Sequence, residues 1–385
     1  MRVLITTPSA WGHLQPMVPL AKALQARGHE LRWATGADSS DWLAGVGVPP
    51  VSAGIRQQDL LTARSSMLAD VRGLPREDIP DVLFARIFGG IAAPAMLHDL
   101  APLVAEWTPD LVIHDAAELA GPIIAAKIGV PSVTKSFGIL LPEKRVSSAG
   151  DRVADLWRSY GLQPRRFGGC YEHLYLDMAP ATLQPTPPDY IPRRQPLRPE
   201  SHVNVAAEWS EDSSSDWPPG FPAVYLTMGT VFNDPSVLRS TVDSVAKLGV
   251  DLLVTVGPRV DPADLGDQPP HVRVERYVPQ TSVLKRCRVV VSHAGSGTAF
   301  ATLSQGLPQL CLPQGADQFL NADAIAQAGA GLSLRPDAAS GPAIAGRVDR
   351  LLNEPQFRSS AQAIAAEIAQ MPDADEVATV LERLP

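Results

Sequence analysis

The sequence predicts an α/β protein with two domains, each built on a doubly wound parallel sheet. Three observations lead to this fold class. A strand–helix–strand unit begins at Arg2, where a buried strand over 2–7 is followed by a helix and then by a strand over 29–35. A second series of alternating strands and helices begins at Ala223. The chain of 385 residues is long enough for two domains of ordinary size. Strands that alternate with helices favour a parallel sheet covered by helices on both faces.

Composition and charge exclude several classes of protein. A hydrophobic share of 45% with 19% charged residues is typical of a globular chain. The net charge of -8, without a local cluster of basic residues, argues against a nucleic-acid partner. The three cysteines, Cys170, Cys287 and Cys311, are far apart and odd in number, which favours a reduced cytoplasmic protein. The N-terminal apolar run is too short for a signal peptide, and we expect no membrane span.

The first half of the chain predicts further strands and helices in alternation. Pro16 and Pro19 restrict the first helix to a start just after His13, because proline is tolerated in the first helical turn. That helix is expected to end before Gly28. The later elements are expected as a mostly helical stretch over 56–106 broken at 73–80, a strand over 110–115, a helix over 118–128 and a strand over 130–134.

A proline-rich and then polar stretch predicts the domain boundary near 195–218. The N-terminal domain is thus expected over 1–205 and the C-terminal domain over 218–370. The final segment, 371–385, is expected to form a helix that packs back on the N-terminal domain. The second half predicts strands over 223–228, 251–256, 288–292 and 309–312, with helices over 235–248, 298–305, 317–328, 341–352 and 355–370.

The loop from His293 to Thr298 is the most informative part of the sequence. It joins a β-branched strand to a helix, and small residues leave the helix N-terminus open to a phosphate. Gly295 and Gly297 permit close approach, and His293 adds a hydrogen-bond donor, or a cation when protonated. A helix-capping loop without a ligand is the alternative. The pair Asp317-Gln318, one strand and one loop later, favours the phosphate site.

Four features, found in this order, resemble GT-B-fold glycosyltransferases of the bacterial natural-product type, which are relatives of UDP-glycosyltransferases. They are Gly12-His13 after the first strand, Tyr277-Val278-Pro279-Gln280, His293–Thr298, and Leu312-Pro313 with Asp317-Gln318 and Asn321. The resemblance covers essentially the whole chain. It implies two Rossmann-like domains with parallel sheets that face a central cleft, the sugar donor in the C-terminal domain and the acceptor in the N-terminal domain.

The resemblance implies that the C-terminal domain binds a nucleotide sugar. Tyr277 would stack on the base, where many relatives have tryptophan, and the backbone of Val278 would contact the base edge. Gly229 and Thr230 would approach the diphosphate from the opposite side. The alternatives are an ordinary aromatic residue at a strand end for Tyr277 and an ordinary strand-end glycine for Gly229.

The remaining donor residues would meet the diphosphate and the sugar. His293 would bond a phosphate oxygen, and the small residues Gly295, Ser296, Gly297 and Thr298 would offer backbone N–H groups and hydroxyls. Asp317 and Gln318 would each bond two sugar hydroxyls. Asp317 is also expected to cap the following helix, a common role for aspartate that is compatible with sugar binding.

His13 is the expected catalytic base. A sugar acceptor must lose a hydroxyl proton as it attacks the anomeric carbon, and a neutral imidazole can accept it. Asp115, matched to the family at the end of its strand, would hold the imidazole tautomer and stabilise the cation. His114 is less suited because it points to the opposite face of that strand. A structural role is the alternative for a histidine beside a glycine.

The acceptor pocket is expected from residues 56–100 and 140–175, together with Trp11 beside the base. Its candidate aromatic residues are Trp11, Phe84, Phe88 and Phe137. Other aromatic or flexible candidates are Met96, Trp157, Tyr160, Phe167 and Tyr171. For each of these and of the three phenylalanines, taken singly, a core position is the better interpretation, and Trp11 is the better pocket candidate.

The resemblance and these residues together imply an inverting, metal-independent glycosyltransferase. It would move a sugar, preferably a deoxysugar on a TDP rather than a UDP carrier, to a hydroxyl of an apolar aglycone. No metal-ligand spacing and no cofactor motif appear, since His98, His114, His173 and His202 lack partners at ligand spacing. Two alternatives remain open: a non-catalytic homologue that binds nucleotide or activates a partner, and another GT-B-like sugar-nucleotide enzyme. A homodimer is compatible with the sequence, which leaves the oligomeric state open.

Overall fold

The computed structural model of the chain describes residues 1–74, 78–184, 188–200, 223–229, 235–257 and 260–384. Each strand pair recorded over these residues is parallel, so the predicted α/β class is confirmed. The chain divides into two compact units. The first comprises Met1–Ala179, Thr186–His202 and Pro372–Pro385, and the second comprises Pro180–Pro185 and Val203–Met371.

The first unit has a sheet of seven strands within the described residues, in the order β3-β2-β1-β4-β5-β6-β7. These are β1 (Arg2–Thr6), β2 (Glu30–Thr35), β3 (Pro50–Ser52), β4 (Leu111–Asp115), β5 (Ser132–Lys135), β6 (Leu174–Asp177) and β7 (Arg194–Pro196). Alternate side chains enter two cores, with Leu4 of β1 on one face and Val3 and Ile5 on the other. The strand order changes direction between β1 and β4, which is where ligands bind in such sheets.

The helices of the first unit flank this sheet. They are α1 (Trp11–Leu14), α2 (Val18–Ala26), α3 (Ser40–Val46), α4 (Gln57–Met67), α5 (Ile79–Phe84), α6 (Ala93–Glu106), α7 (Ala120–Ile128), α8 (Glu143–Arg152) and α9 (Ala154–Ser159). The predicted helix start after His13 was wrong, because α1 begins before that residue. A 3₁₀ segment, Gln15–Met17, separates α1 from α2. Each of Pro16 and Pro19 thereby lies at the start of a new helical segment, where a missing N–H is tolerated.

One helical stretch satisfies a length and composition criterion for crossing a membrane, although no membrane span is expected from the sequence. A π-helical segment, Ala85–Ala92, joins α5 to α6, and the continuous stretch Ile79–Glu106 meets that criterion by length and composition. Core helices meet the same criterion. Leu97 and Leu100 of this stretch are buried in the core of the first unit.

The last described helix, α16 (Ala374–Leu381), belongs to the first unit. It begins with a capping box, in which Asp373 and Glu376 each bond the backbone of the other. Its apolar face buries Val377 and Leu381 completely, in the same core as α2. The apolar face of this helix therefore completes one side of the N-terminal core.

The second unit has a sheet of six strands within the described residues, in the order β10-β9-β8-β11-β12-β13. These are β8 (Val224–Thr227), β9 (Leu252–Thr255), β10 (Val272–Glu275), β11 (Val289–Ser292), β12 (Gln309–Cys311) and β13 (Gly331–Ser333). Its helices are α10 (Pro235–Ala246), α11 (Gln280–Leu284), α12 (Ser296–Ser304), α13 (Gln318–Gln327), α14 (Gly341–Asn353) and α15 (Pro355–Gln370). Here the strand order changes direction between β8 and β11.

The connection between the units differs from the sequence expectation in one respect. Most of the boundary region predicted over 195–218 lies outside the described residues, from residue 201 onward. Residues 180–184, which the sequence assigned to the N-terminal domain, group with the second unit. The reason is local: the Thr182 hydroxyl donates to a carboxylate oxygen of Glu367 in α15 at 2.5 Å.

Candidate active site

His13 and Asp115 form a hydrogen-bonded pair at the switch point of the first sheet. His13 lies in α1, just beyond β1, and Asp115 is the last residue of β4. The His13 Nδ1 and Asp115 Oδ1 atoms are 2.9 Å apart, and only 14% and 2% of the two side chains are exposed. The backbone N–H of Ala117 also donates to Asp115 Oδ1, at 2.8 Å. The carboxylate is thus fixed by the backbone, and it favours the imidazole tautomer with hydrogen on Nδ1.

The neighbouring His114 has a structural role. Its Nδ1 lies 2.9 Å from the carbonyl oxygen of Glu118, to which it donates, and the Thr134 hydroxyl donates to its Nε2 at 2.8 Å. Burial lowers the pKa of His114 to about 4, although carbonyl acceptors oppose the shift. The neutral imidazole therefore has both ring nitrogens hydrogen-bonded, one to the loop after β4 and the other to β5.

Three of the four residues predicted to line the pocket for the sugar acceptor form an aromatic group beside His13. The ring centroids of His13 and Phe137 are 4.4 Å apart, and those of His13 and Phe88 are 5.9 Å apart. Phe84 extends this group through Phe88, at 4.9 Å. Trp11, the fourth, instead packs edge-on against another tryptophan and is 36% exposed. The wider candidates Met96, Trp157, Phe167 and Tyr171 are buried in the core, and Tyr160 packs against it.

The second unit places the predicted phosphate loop at its own switch point. The helix α12 begins at Ser296, two residues before the predicted start, so Ser296, Gly297 and Thr298 form its first turn. Its N-cap is Gly295, and no side chain caps it. The first N–H groups of a helix have no partner within the helix. The structure therefore presents an uncapped helix N-terminus that has the geometry of an anion site.

Two glycines enclose the His293 ring. A Cβ atom on Gly229, which follows β8 with φ of 75°, would stand 2.5 Å from His293 Cε1. A Cβ on Gly295 would also overlap the imidazole. Glycine at both positions is thus required by the histidine, and the loops after β8 and β11 meet there. Thr230, predicted beside Gly229, lies outside the described residues.

His293 is neutral in this environment. Its Nδ1 is buried without a hydrogen-bond partner among the described residues. Burial lowers the pKa of the imidazole to about 4, and the negative charge of Asp317 opposes that shift. The sequence offers His293 as a hydrogen-bond donor or as a cation. Only the first role is open to a neutral ring, which can donate one hydrogen bond but carries no positive charge.

A hydrogen bond joins the predicted base-binding motif, residues 277–280, to the predicted phosphate loop. Tyr277 is 44% exposed, whereas Val278 is buried in a core cluster. The Gln280 amide donates to the Thr298 hydroxyl at 3.2 Å, a contact that the sequence analysis did not assign. The spacing of 18 residues between these two polar residues gives no local sequence signal for it.

The side chains of Asp317 and Gln318 organise loops. Asp317 Oδ2 accepts hydrogen bonds from Ser296 Oγ at 2.7 Å and from Asn321 Nδ2 at 3.1 Å. The predicted capping of α13 by Asp317 was wrong, because its carboxylate bonds these side chains and no backbone N–H of the helix. Gln318 Oε1 accepts the N–H groups of Gln314 and Gly315, at 2.8 and 3.1 Å. That oxygen closes the loop before α13, so only the amide nitrogen of Gln318 would meet a sugar.

Over the described ranges, no group of three or more His, Cys, Asp or Glu side chains could hold an ion. Cys170, Cys287 and Cys311 are buried and unpaired.

Comparisons with known proteins agree with this fold. Residues 22–152 and 239–384 match the N-terminal and C-terminal domains of the family described as erythromycin biosynthesis protein CIII-like. The chain is 32% identical to an L-demethylnoviosyl transferase of Streptomyces niveus, over 97% of this chain and 95% of that protein. It is 31% identical to the elloramycin glycosyltransferase ElmGT of Streptomyces olivaceus, over 99% and 97%.

A solved structure extends the comparison to the fold. The spinosyn rhamnosyltransferase SpnG, solved with thymidine diphosphate and with spinosyn aglycone, matches with a TM-score of 0.81 at 26% identity. The match covers 100% of both chains. The expected GT-B fold is confirmed by this likeness and by the two parallel sheets. The chain belongs to the erythromycin biosynthesis protein CIII-like family and is a bacterial natural-product glycosyltransferase.

Proposed function

We propose that this enzyme transfers a sugar, with inversion, from a nucleoside diphosphate carrier to a hydroxyl group of an apolar aglycone. The observation that carries the proposal is the part-buried His13–Asp115 pair at the switch point of the first sheet. The aromatic rings of Phe88 and Phe137 beside His13 favour an apolar acceptor. A thymidine carrier and a deoxysugar are proposed because one relative is named an aclacinomycin-T 2-deoxy-L-fucose transferase and SpnG was solved with thymidine diphosphate.

The proposed reaction is a single displacement. His13 Nε2 takes the proton of the acceptor hydroxyl while that oxygen forms a bond to the anomeric carbon. The bond between this carbon and the diphosphate oxygen breaks, and the diphosphate leaves with the electron pair. Asp115, bonded to His13 Nδ1, stabilises the imidazolium that forms. Attack from the side opposite to the leaving group inverts the configuration of the sugar.

The first turn of α12 would stabilise the departing diphosphate. Its N–H groups and the positive end of the helix dipole face a charge that grows as the glycosidic bond breaks. The neutral His293 would add one hydrogen bond. We propose that these groups meet the charge without a metal ion, and we expect turnover to continue in excess EDTA. We also propose a cytoplasmic enzyme without a cofactor, for which the unpaired buried cysteines are suited.

Replacing Gly297 by alanine is expected to weaken binding of thymidine diphosphate by about tenfold, or about 1.4 kcal/mol. A Cβ at this position meets nothing within 4 Å, so the protein itself tolerates the methyl group and a bound diphosphate would not. Isothermal titration calorimetry measures the change. Gly346→Ala in α14 is the matched control, because its Cβ also enters open space on a helix. Equal affinities in the two variants would reject the phosphate site.

The overall function is tested with purified protein. A panel of nucleoside diphosphates and nucleotide sugars is screened by thermal shift, where a ligand at 100 times its Kd adds about 2.7 kcal/mol of stability. The best donor is then incubated with hydroxylated polycyclic and macrolactone acceptors, with and without EDTA. Mass spectrometry detects the glycoside and NMR assigns its anomeric configuration. Retained configuration rejects the displacement mechanism, and the absence of nucleotide stabilisation rejects the donor site.

A further inference from the structure

A buried asparagine in α13 joins the two loops of the donor site. Asn321 has no exposed surface. Its Nδ2 lies 2.9 Å from the carbonyl oxygen of Ala294, 3.0 Å from Ser296 Oγ and 3.1 Å from Asp317 Oδ2. The Ser296 hydroxyl donates to the same Asp317 oxygen at 2.7 Å. One amide group thus contacts the loop after β11, the first turn of α12 and the carboxylate before α13.

The contacts determine the orientation of the Asn321 amide. The Ala294 carbonyl and the Asp317 carboxylate only accept hydrogen bonds, so the nitrogen must face them. The Oδ1 atom is buried without a partner among the described residues, which has a cost in free energy. The amide is therefore oriented so that its nitrogen bonds the two loops, and its oxygen is left without a hydrogen bond.

The bond to Ala294 supports an unusual backbone conformation. Ala294 has φ of 62°, in the left-handed region that residues other than glycine rarely adopt. Such a residue persists where its surroundings hold it, and the Asn321 amide bonds its carbonyl directly. Ala294 lies between His293 and Gly295, so its conformation sets the direction of the ring and of the N-cap of α12.

We propose that Asn321 is a positioning residue that fixes the Asp317 carboxylate relative to the first turn of α12. Contact with the sugar and contact with the diphosphate would then be made together, in one rigid arrangement. This inference rests on the proposed function for the meaning of the two contacts. The coupling of the two loops does not depend on that function, since the loss of Asn321 should release both loops whether or not a sugar is transferred.

A double-mutant cycle tests the coupling. Asn321→Leu keeps the number of side-chain heavy atoms and their branching at Cγ but removes the donor, and it is expected to lower kcat/KM for the nucleotide sugar by about 10–100-fold. In the Asp317→Ala background the same change should cost at least tenfold less, because residues in one hydrogen-bond network are not additive. Ser296→Ala, a smaller change, should show the same sign of coupling to Asp317. Additive losses for both variants would overturn the proposal.

A second measurement tests the proposal without an activity assay. Asn321→Leu is expected to increase hydrogen–deuterium exchange in peptides that cover both 292–298 and 314–318 in the full-length protein. The control is Gln309→Leu, which also removes a buried side-chain amide of the second unit. The Nε2 atom of Gln309 donates to the Ala299 carbonyl at 3.2 Å. It should lower the melting temperature without coupling to Asp317. Unchanged exchange in either loop of Asn321→Leu overturns the proposal, whereas a wild-type enzyme that transfers no sugar rejects only the proposed function.

Discussion

Replacing His13 by glutamine is expected to lower kcat by about 10²–10⁴, the range of general-base catalysis. The glutamine amide can still donate to Asp115 Oδ1, which His13 Nδ1 approaches to 2.9 Å in the wild type, but an amide does not accept a proton at neutral pH. Steady-state kinetics under saturating donor and acceptor measure the effect. Calorimetry with thymidine diphosphate should show unchanged affinity, because His13 belongs to the first unit and the proposed phosphate site to the second.

Alanine at the same position separates catalysis from folding. His13→Ala should reduce kcat to the same extent and also lower the melting temperature, because it leaves a buried carboxylate without one of its partners. The matched control is His98→Ala. His98 also pairs with an aspartate at 2.9 Å, but its side chain is 88% exposed. A glutamine variant that retains more than a tenth of the wild-type kcat would contradict the assignment of His13 as the base.

Replacing Leu381 by alanine is expected to destabilise the first unit by about 2–5 kcal/mol, as large-to-small changes in cores do. Leu381 is completely buried, and its helix α16 packs in the same core as α2. Urea unfolding followed by tryptophan fluorescence measures this loss. Five of the seven tryptophans belong to the first unit, and replacing Trp209 and Trp217, which fall in the range of the second unit, by phenylalanine in both the reference and the variant confines the signal to the first unit.

The control for this prediction lies on the same helix. Arg383→Ala alters an exposed residue just beyond the last turn and should change stability by less than about 0.5 kcal/mol. Donor affinity should remain unchanged in Leu381→Ala at urea concentrations that leave both units folded. A loss below about 1 kcal/mol for Leu381→Ala would show that the α16 core contact is replaceable.

Much of the fold and of the site could be predicted because its signals are local. The strand–helix alternation, the loop from His293 to Thr298 and the residues that end β1 and β4 are all visible along the chain. Strands of a parallel sheet end at one edge, so His13 and Asp115 could be expected together without knowledge of their distance. The family resemblance supplied the roles, and the structure supplied the 2.9 Å contact.

The parts that could not be predicted depend on distant contacts or on weak local patterns. The strands β3, β7, β10 and β13 are only partly buried, so they lack the continuous apolar run that predicts the comparably short strands β8, β9 and β11. Ala294 and Ala316 adopt positive φ although alanine gives no sign of it. The bond from Gln280 to Thr298 and the contacts of Asn321 form only when separate loops meet. The neutral state of His293 follows from burial, which no motif encodes.

The return of α16 to the first unit has a consequence for synthesis of the protein. Residues 372–384 are made after the whole of the second unit, yet they fill the core beneath α2. During translation the second unit can therefore complete its core while the first unit still lacks one wall. We expect the nascent first unit to expose apolar surface of α2 until the ribosome releases these residues, which makes it the part that requires chaperone protection.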